Sequence, residues 1–274
     1  MFKFLKKSST WALSIITVVF TFAPETIFDK SKLITSASDE INVIITRVLA
    51  FVAVLVLSTI INVLYLLCRR SIRIKGNSYS IQIEYGNIFK MRACKKVIPF
   101  DECFTTIVGD SPSEINPNAI CGQYLKVNPI TDDDIQTLIG NTQLKPAESK
   151  SKYQNMVRYV SGTLVPNGDD LLMAFAMLDE DGLGEFPSRE DYLGSLSVLW
   201  KEIDKHYGQK DVCIPVLGSG VTRIGDTVLS QQELLDIIIG SYQLSAHKMK
   251  LPCQLHIVCK KRDDFSLNRI GESL

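Results

Sequence analysis

The chain has 274 residues, with 30 basic and 30 acidic side chains, a formal net charge of +0, 22% charged residues and 46% hydrophobic ones. A balanced chain lacks the basic excess that draws a protein onto nucleic acid, so nucleic acid is excluded as a bulk partner. The seven cysteines are scattered, odd in number and without a CxxC pair, which speaks against a secreted disulfide framework and predicts buried, reduced thiols.

The first apolar stretch runs from Trp11 to Ala23 and stops at Pro24. With its flanks it makes a span over about 8–28, using tilt or local thinning of the bilayer. Lys3, Lys6 and Lys7 precede it, as they would precede a signal peptide, but no small-x-small cleavage site follows at once. The second stretch, Val48 to Cys68, contains no charge and is closed by Arg69-Arg70. Roughly 20 apolar residues suffice to cross a bilayer as a helix, so a span over about 45–68 is expected. Lysines before the first stretch and Arg69, Arg70, Arg73 and Lys75 after the second place both ends in the cytoplasm. The predicted organisation is a membrane hairpin over 1–70 and a soluble domain over 71–274. A single span with a re-entrant or cleaved N-terminus is the alternative. Ser58 and Asn62 lie four apart on one helix face, the arrangement of a helix–helix contact in lipid.

From Ser71 onward, strand-like and helix-like segments alternate. Ile72-Arg73-Ile74 and Tyr79 to Tyr85 alternate apolar and polar residues, as strands with one buried face do. Lys96 to Phe100 is another short run. Gly162 to Val165 and Leu171 to Leu178 follow, the latter apolar throughout, as a strand covered on both faces would be. Tyr192 to Tyr207 carries Leu193, Leu196, Leu199, Trp200 and Ile203 at helical spacing. Val212 to Leu217 is a further buried run, Ser230 to Tyr242 is a helix opened by the capping box Ser230-x-x-Glu233, and Leu255 to Cys259 is the last strand. The sum predicts an α/β domain with a mixed or mostly parallel sheet and helices on both faces. Ligands of such sheets bind beyond the carboxyl ends of strands.

Three strand ends carry candidate chemistry. In CIPVLGSGVTRIG, from Cys213 to Gly225, a buried strand runs through Leu217 into a loop in which Gly218 and Gly220 permit positive φ and close approach of backbone to ligand. Backbone N–H groups of Ser219, Gly220, Val221 and Thr222 can cradle a diphosphate, with Arg223 adding charge. The GK[ST] ending of a Walker loop is missing and the third glycine of GxGxxG is displaced, so a plain turn is the alternative. At Gly86-Asn87-Ile88 a side-chain amide can read a base edge, or simply close an Asn turn. Asp101 and Glu102 form a carboxylate pair, but neighbours on a strand face opposite ways, which speaks against joint acid–base work. His206, His247 and His256 do not cluster in sequence, and no catalytic constellation or metal site assembles from the motifs.

Taken together, these strand ends resemble a macro domain, the ADP-ribose-binding fold. They are most similar to the divergent macro domain that follows two membrane spans in effectors of type II Thoeris antiphage defence. The marks are Tyr85-Gly-Asn-Ile-Phe89, the VIPFDECFTT stretch from Val97, Ile120-Cys-Gly-Gln-Tyr124, Leu172-Met-Ala-Phe-Ala-Met-Leu178 and IPVLGSGVTRIG from Ile214. The resemblance covers about Ser71 to Lys261 and, with the hairpin, nearly the whole chain. It implies a macro-domain-like mixed sheet and a signal receptor without a cofactor. A separately encoded TIR-domain partner would consume NAD and make an ADP-ribose derivative, histidine-ADP-ribose in this branch. The macro domain, cytoplasmic on a multi-pass inner-membrane anchor, would bind that signal. The chain would then assemble as a homo-oligomer and disrupt the membrane, giving abortive infection.

Position by position, the resemblance puts Asn87 where the family usually has an adenine-contacting Asp, with the Ile88 backbone beside it, and puts the diphosphate loop on Gly218 to Arg223. The family's Asn-rich ribose loop, which hydrolytic macro domains use, is absent; Asp101, Glu102 and Thr105 stand at that strand end, and catalysis is disfavoured. Arg223, Asp101 and Glu102 become the candidates for contacting a distal ribose or an amino-acid appendage. A membrane-anchored ADP-ribosyl hydrolase or phosphatase is the alternative.

Overall fold

The structure, a computed structural model, describes residues 10, 13–18, 38–111, 114–220 and 222–270. The chain divides into two compact units, Met1–Arg69 and Arg70–Leu274. In the first, helix α1 (Asp39–Leu67) is opened by Ser38, whose side chain accepts from the Ile41 N–H. Among the described residues it is the one helix long and apolar enough to cross a membrane, with a mean hydropathy of 2.5. Its half-buried positions include Ala50, Val54, Ser58, Asn62 and Leu66 at intervals of four, the face on which Ser58 and Asn62 were expected. Thr46 and Thr59 return their hydroxyls to the carbonyls of Asn42 and Leu55, which keeps those groups satisfied without water. The expected first span over 8–28 lies mostly outside the described residues; Thr10 and 13–18 are helical.

The second unit is built on nine strands: β1 (Ser71–Lys75), β2 (Ser80–Tyr85), β3 (Cys94–Asp101), β4 (Leu164–Asn167), β5 (Asp170–Leu178), β6 (Gly184–Phe186), β7 (Asp211–Pro215), β8 (Arg223–Ile224) and β9 (Leu255–Cys259). Their order is β1-β2-β9-β7-β3-β5-β6-β8, with β4 on β5. The five strands β2, β9, β7, β3 and β5 run parallel, while β1, β4 and β6 pair antiparallel at the margins. Strand alternation splits the core between two faces. On one, Val97, Leu171, Met173 and Ile214 pack against α4 (Arg189–His206) and α5 (Gln231–Leu244). On the other, Ile98, Phe100, Leu172 and Ala174 pack against α2 (Ile120–Val127) and α3 (Asp132–Thr142). The α/β class with helices on both faces is therefore as expected. Helices α2 and α3 and strands β6 and β8 are additions to the sequence reading.

The capping box at α5 forms as its residues predict. Ser230 and Glu233 exchange side-chain and backbone bonds, and α3 repeats the device with Thr131 and Asp134. The Trp200 indole donates to Ser241 Oγ at 3.1 Å and its ring meets Tyr242 edge-on, which fixes α4 against α5. One expectation is corrected: Cys94 and Cys213 are not separate thiols but a disulfide, with Cα atoms 6.3 Å apart. Parallel neighbours β3 and β7 carry both residues to the same face, a proximity hidden by a sequence separation of 119. Cys68, Cys103, Cys121, Cys253 and Cys259 are free.

The Glu233 carboxyl is held below the usual glutamate range by hydrogen bonds from the Ser230 side chain and backbone. A carboxyl depressed in the folded state stabilises it above the ordinary glutamate value, and that contribution is lost as pH falls through the lowered one. Ser230→Ala should cost about 1 kcal/mol in denaturant unfolding at neutral pH. Glu233→Gln should flatten the acid limb of the stability–pH curve; an unchanged limb would show that the cap does not contribute.

Candidate functional site

Because five neighbouring strands run parallel, their carboxyl ends open at one edge of the sheet. That edge gathers 86–88 after β2, 260–262 after β9, 216–220 after β7, 101–105 after β3 and 179–183 after β5. Asn87, Ile88, Asp101, Glu102, Leu217, Gly218, Ser219, Gly220 and Thr222 therefore lie at this end, although their side chains are differently engaged. Val221 lies outside the described residues.

After β2, Gly86 extends the ladder by donating to the Cys259 carbonyl at 3.1 Å. Asn87 is exposed and its Oδ1 accepts from the Phe89 N–H at 2.9 Å, capping the 3-10 turn Ile88–Lys90. The Asn turn is thus real. The Ile88 side chain is buried against Cys94 and Cys213, so the turn is anchored from beneath.

After β7, Val216 and Leu217 are buried and Gly218 takes φ +80°, a left-handed turn that an L side chain would strain. Three carbonyls of the turn, those of Val216, Leu217 and Ser219, have partners. Tyr192 donates its hydroxyl to the Leu217 carbonyl at 3.1 Å, the Ser219 N–H bonds the Val216 carbonyl, and Arg262 donates to the Ser219 carbonyl at 2.8 Å. The loop is thereby held from α4 below and from the end of β9 beside it. A Cβ built on Gly220 meets nothing within 4 Å, so this part of the loop faces open space. Arg223 does not join the loop. It lies in β8, where its guanidinium pairs with Asp179 and lies 3.6 Å from Glu185.

After β3, Asp101 and Glu102 diverge, as strand geometry requires. The Asp101 carboxylate accepts from the Cys103 N–H at 2.8 Å and from the Thr105 N–H and hydroxyl, knotting a turn in which Phe104 adopts φ 55°. Burial nevertheless pushes its carboxyl above the usual aspartate range. Glu102 is 1% exposed. Its carboxylate accepts from Ser151 Oγ at 2.6 Å, Arg158 at 3.0 Å and the Leu178 N–H at 3.3 Å, while its backbone bonds Ala176 and Tyr159. Glu102 thus fastens the segment 147–160 as a strap over the ends of β3 and β5. Burial, reinforced by the Asp101 charge, pushes the Cys103 and Cys121 thiols up to about 12, so neither is a thiolate at neutral pH.

Sequence reasoning missed the strap and Arg262. The available signal was the length of the irregular stretch between α3 and β4, since loops of that length in compact domains are usually functional or disordered. Among the described residues no group of His, Cys, Asp or Glu is arranged to hold a metal. His256 sits on the sheet between Glu84 at 2.8 Å and Asp211 at 3.2 Å, whereas His247 lies 3.2 Å from Asp204 and His206 3.5 Å from Glu202. Clefts open on the described surface, two of which bear on the choice of site. One of about 230 Å³, with Val108, Leu125 and Ile130 in its wall, lies beside α2 and α3, away from the candidate loop. The other, of about 220 Å³, lies between the strap and β6.

Comparison with known proteins adds the following. A family model described as the macro domain of Thoeris protein ThsA matches residues 81–260. Thoeris protein ThsA of Bacillus amyloliquefaciens (strain Y2) is 30% identical over 266 residues, covering 94% of this chain and 86% of the relative. Among solved structures, the chain is similar to the Oceanobacillus iheyensis macrodomain with ADP, at a TM-score of 0.44, 9% identity, 70% coverage of this chain and 89% of that one. It is also similar to the same macrodomain with MES bound, at a TM-score of 0.39, 9% identity and the same 70% and 89% coverage.

Removing Glu102 leaves the Arg158 guanidinium, only a quarter exposed, without its partner. Breaking such a pair from one side costs about 3 kcal/mol. Glu102→Ala should therefore lower the unfolding free energy by that order and open 147–160 to limited proteolysis. Wild-type stability and cleavage would show that the strap is held by other contacts.

Proposed function

The chain belongs to the Thoeris ThsA macro-domain family, and from that premise we propose that it is a membrane-anchored signal receptor of antiphage defence. Its macro domain, on the cytoplasmic side of the inner membrane, binds an ADP-ribose derivative made by a separately encoded TIR-domain partner, with histidine-ADP-ribose as the signal. Binding drives homo-oligomerisation of a two-span anchor and disruption of the membrane, ending the infected cell.

The observation that carries this reading is the loop 216–222. It combines a left-handed Gly218, the carbonyls of Leu217, Val216 and Ser219 tied back by the Tyr192 hydroxyl, the Ser219 N–H and Arg262, and an open approach at Gly220. With the Ser219 N–H used inside the turn, the N–H groups beyond it are the ones this reading assigns to an anion. The Asn87 turn, two parallel strands away, stands at the distance order of a nucleoside from its diphosphate, since adjacent strands are separated by about 4.8 Å. Asn87 is neutral, so adenine meets an amide oxygen instead of a carboxylate. Support for binding without turnover comes from the engaged carboxylates of Asp101 and Glu102 and the protonated thiols of Cys103 and Cys121.

A ligand shifts a two-state protein only through its differential affinity for the two states. Taking the active population from about 1% to about 99% needs roughly 5.5 kcal/mol of such difference. A diphosphate held by several backbone N–H groups, with adenine packed at the Asn87 turn, is of the right order, and assembly in the membrane steepens the response.

Gly220 has neither a positive φ nor a neighbour within 4 Å of a built Cβ, so Gly220→Glu alters the loop surface without straining the fold. The variant should keep the wild-type melting temperature, lose binding of ADP-ribose and its histidine conjugate in calorimetric titration, and leave cells carrying the TIR partner unprotected from phage. Retained binding with intact protection would refute the assignment of the loop.

A further inference from the structure

We propose that Arg262 is a positioning residue of the loop after β7: by holding the Ser219 carbonyl it turns the Gly220 N–H toward the anion. This rests on the reading of that loop as the diphosphate site. The argument starts from the peptide that joins Ser219 to Gly220. A trans peptide is planar, and its N–H points opposite to its C=O. Fixing the Ser219 carbonyl therefore fixes the direction of the Gly220 N–H.

This peptide is the one in the loop with a choice. The Ser219 N–H is already committed to the Val216 carbonyl at 3.2 Å, which settles the peptide before it. Turning over the next plane changes ψ of Ser219 and φ of Gly220, and glycine takes φ of either sign at little cost. Gly220 is outside the left-handed region here, and a Cβ built on it meets nothing within 4 Å, so no neighbour wedges the plane in place. Among the described residues the recorded partner of the Ser219 carbonyl is Arg262, whose Nη2 donates at 2.8 Å. The two orientations are chemically opposite. One presents an N–H to an anion, and the other presents a carbonyl dipole that repels it.

Arg262 is itself held from both sides. Before it, the buried Gln231 side chain donates to the Lys260 carbonyl at 2.8 Å and accepts from the Lys260 N–H at 3.2 Å. After it, Phe265 and Leu267 are buried, and the Phe265 N–H bonds the Arg262 carbonyl. Lys260, Lys261, Asp263 and Asp264 flank it, all exposed, and Arg262 forms no ion pair with a described carboxylate, so its guanidinium stays on the loop. A bond from a guanidinium is charge-assisted and stronger than a neutral one. The same segment reaches the other half of the site. The Phe265 ring meets Tyr85 edge-on and the Leu267 N–H donates to the Tyr85 hydroxyl at 3.2 Å, two residues before Asn87. One piece of chain, 260–267, thus fastens both the loop after β7 and the strand end that carries the Asn87 turn.

The test uses the full-length chain in lipid nanodiscs with Arg262→Met, which keeps the apolar stem and removes the donors, and Arg262→Lys, which restores one donor. In calorimetric titration Arg262→Met should bind ADP and ADP-ribose about tenfold more weakly than wild type, the worth of one charge-assisted bond. Arg262→Lys should recover most of that loss. In the ligand-free chain, hydrogen–deuterium exchange over 216–220 should quicken in Arg262→Met and return toward wild type in Arg262→Lys. A side chain that only touched the ligand would leave that exchange unchanged, so unchanged exchange would overturn the positioning role. Wild-type affinity in Arg262→Met, or a loss that Arg262→Lys does not recover, would overturn it as well. A wild-type chain that binds neither ADP nor ADP-ribose would overturn the diphosphate reading, and the exchange of the free chain separates that failure from a failure of Arg262 alone.

Discussion

The structure depends on one constraint, the parallel alignment of β2, β9, β7, β3 and β5. A parallel pair forces its connections to cross from one end of the sheet to the other, so every strand presents its exit loop at the same edge. Residues separated by well over a hundred positions, such as Asn87 and Gly218, become neighbours in layout for that reason alone. The apolar filling on both faces makes the register costly to change. Sliding β5 by one residue would exchange Met173 and Phe175, which pack on α4 and α5, with Leu172 and Ala174, which pack on α2 and α3.

The edge is specialised by how its polar groups are spent. After β7 the carbonyls of Leu217, Ser219 and Val216 are bound to Tyr192, Arg262 and the loop's own Ser219 N–H. At the end of β3 the carboxylates are spent inward, Asp101 on its own turn and Glu102 on the strap. One half of the edge thus has carbonyls tied inward, while in the other the carboxylates are consumed.

Much of the domain was legible in the sequence because it obeys short-range rules. The alternation of Ile81 and Ile83, the unbroken apolar run of β5 and the Ser230–Glu233 box each follow from period or cap, and the structure places them as read. Helix α2 was not read because it spans eight residues, contains Gly122 and has no side-chain N-cap bond. Helix α3 has the box Thr131–Asp134, but it follows with few apolar residues. The strap and the disulfide were beyond reach for a different reason. Arg158 is 56 positions from Glu102, and Cys94 is 119 from Cys213, so each pairing exists only once the sheet has formed. Of the candidate residues, the sequence located the strand ends correctly but not the directions of Glu102 and Arg223, which are set by β6, β8 and the strap.

The central claim is that the Asn87 turn and the loop 216–222 together receive an ADP-ribose skeleton. Hydrogen–deuterium exchange of the full-length chain in nanodiscs, with and without saturating histidine-ADP-ribose, tests it most directly. The account predicts slowed exchange in peptides covering 86–90 and 216–222 together. Protection confined to other segments, with both of these unchanged, would contradict it.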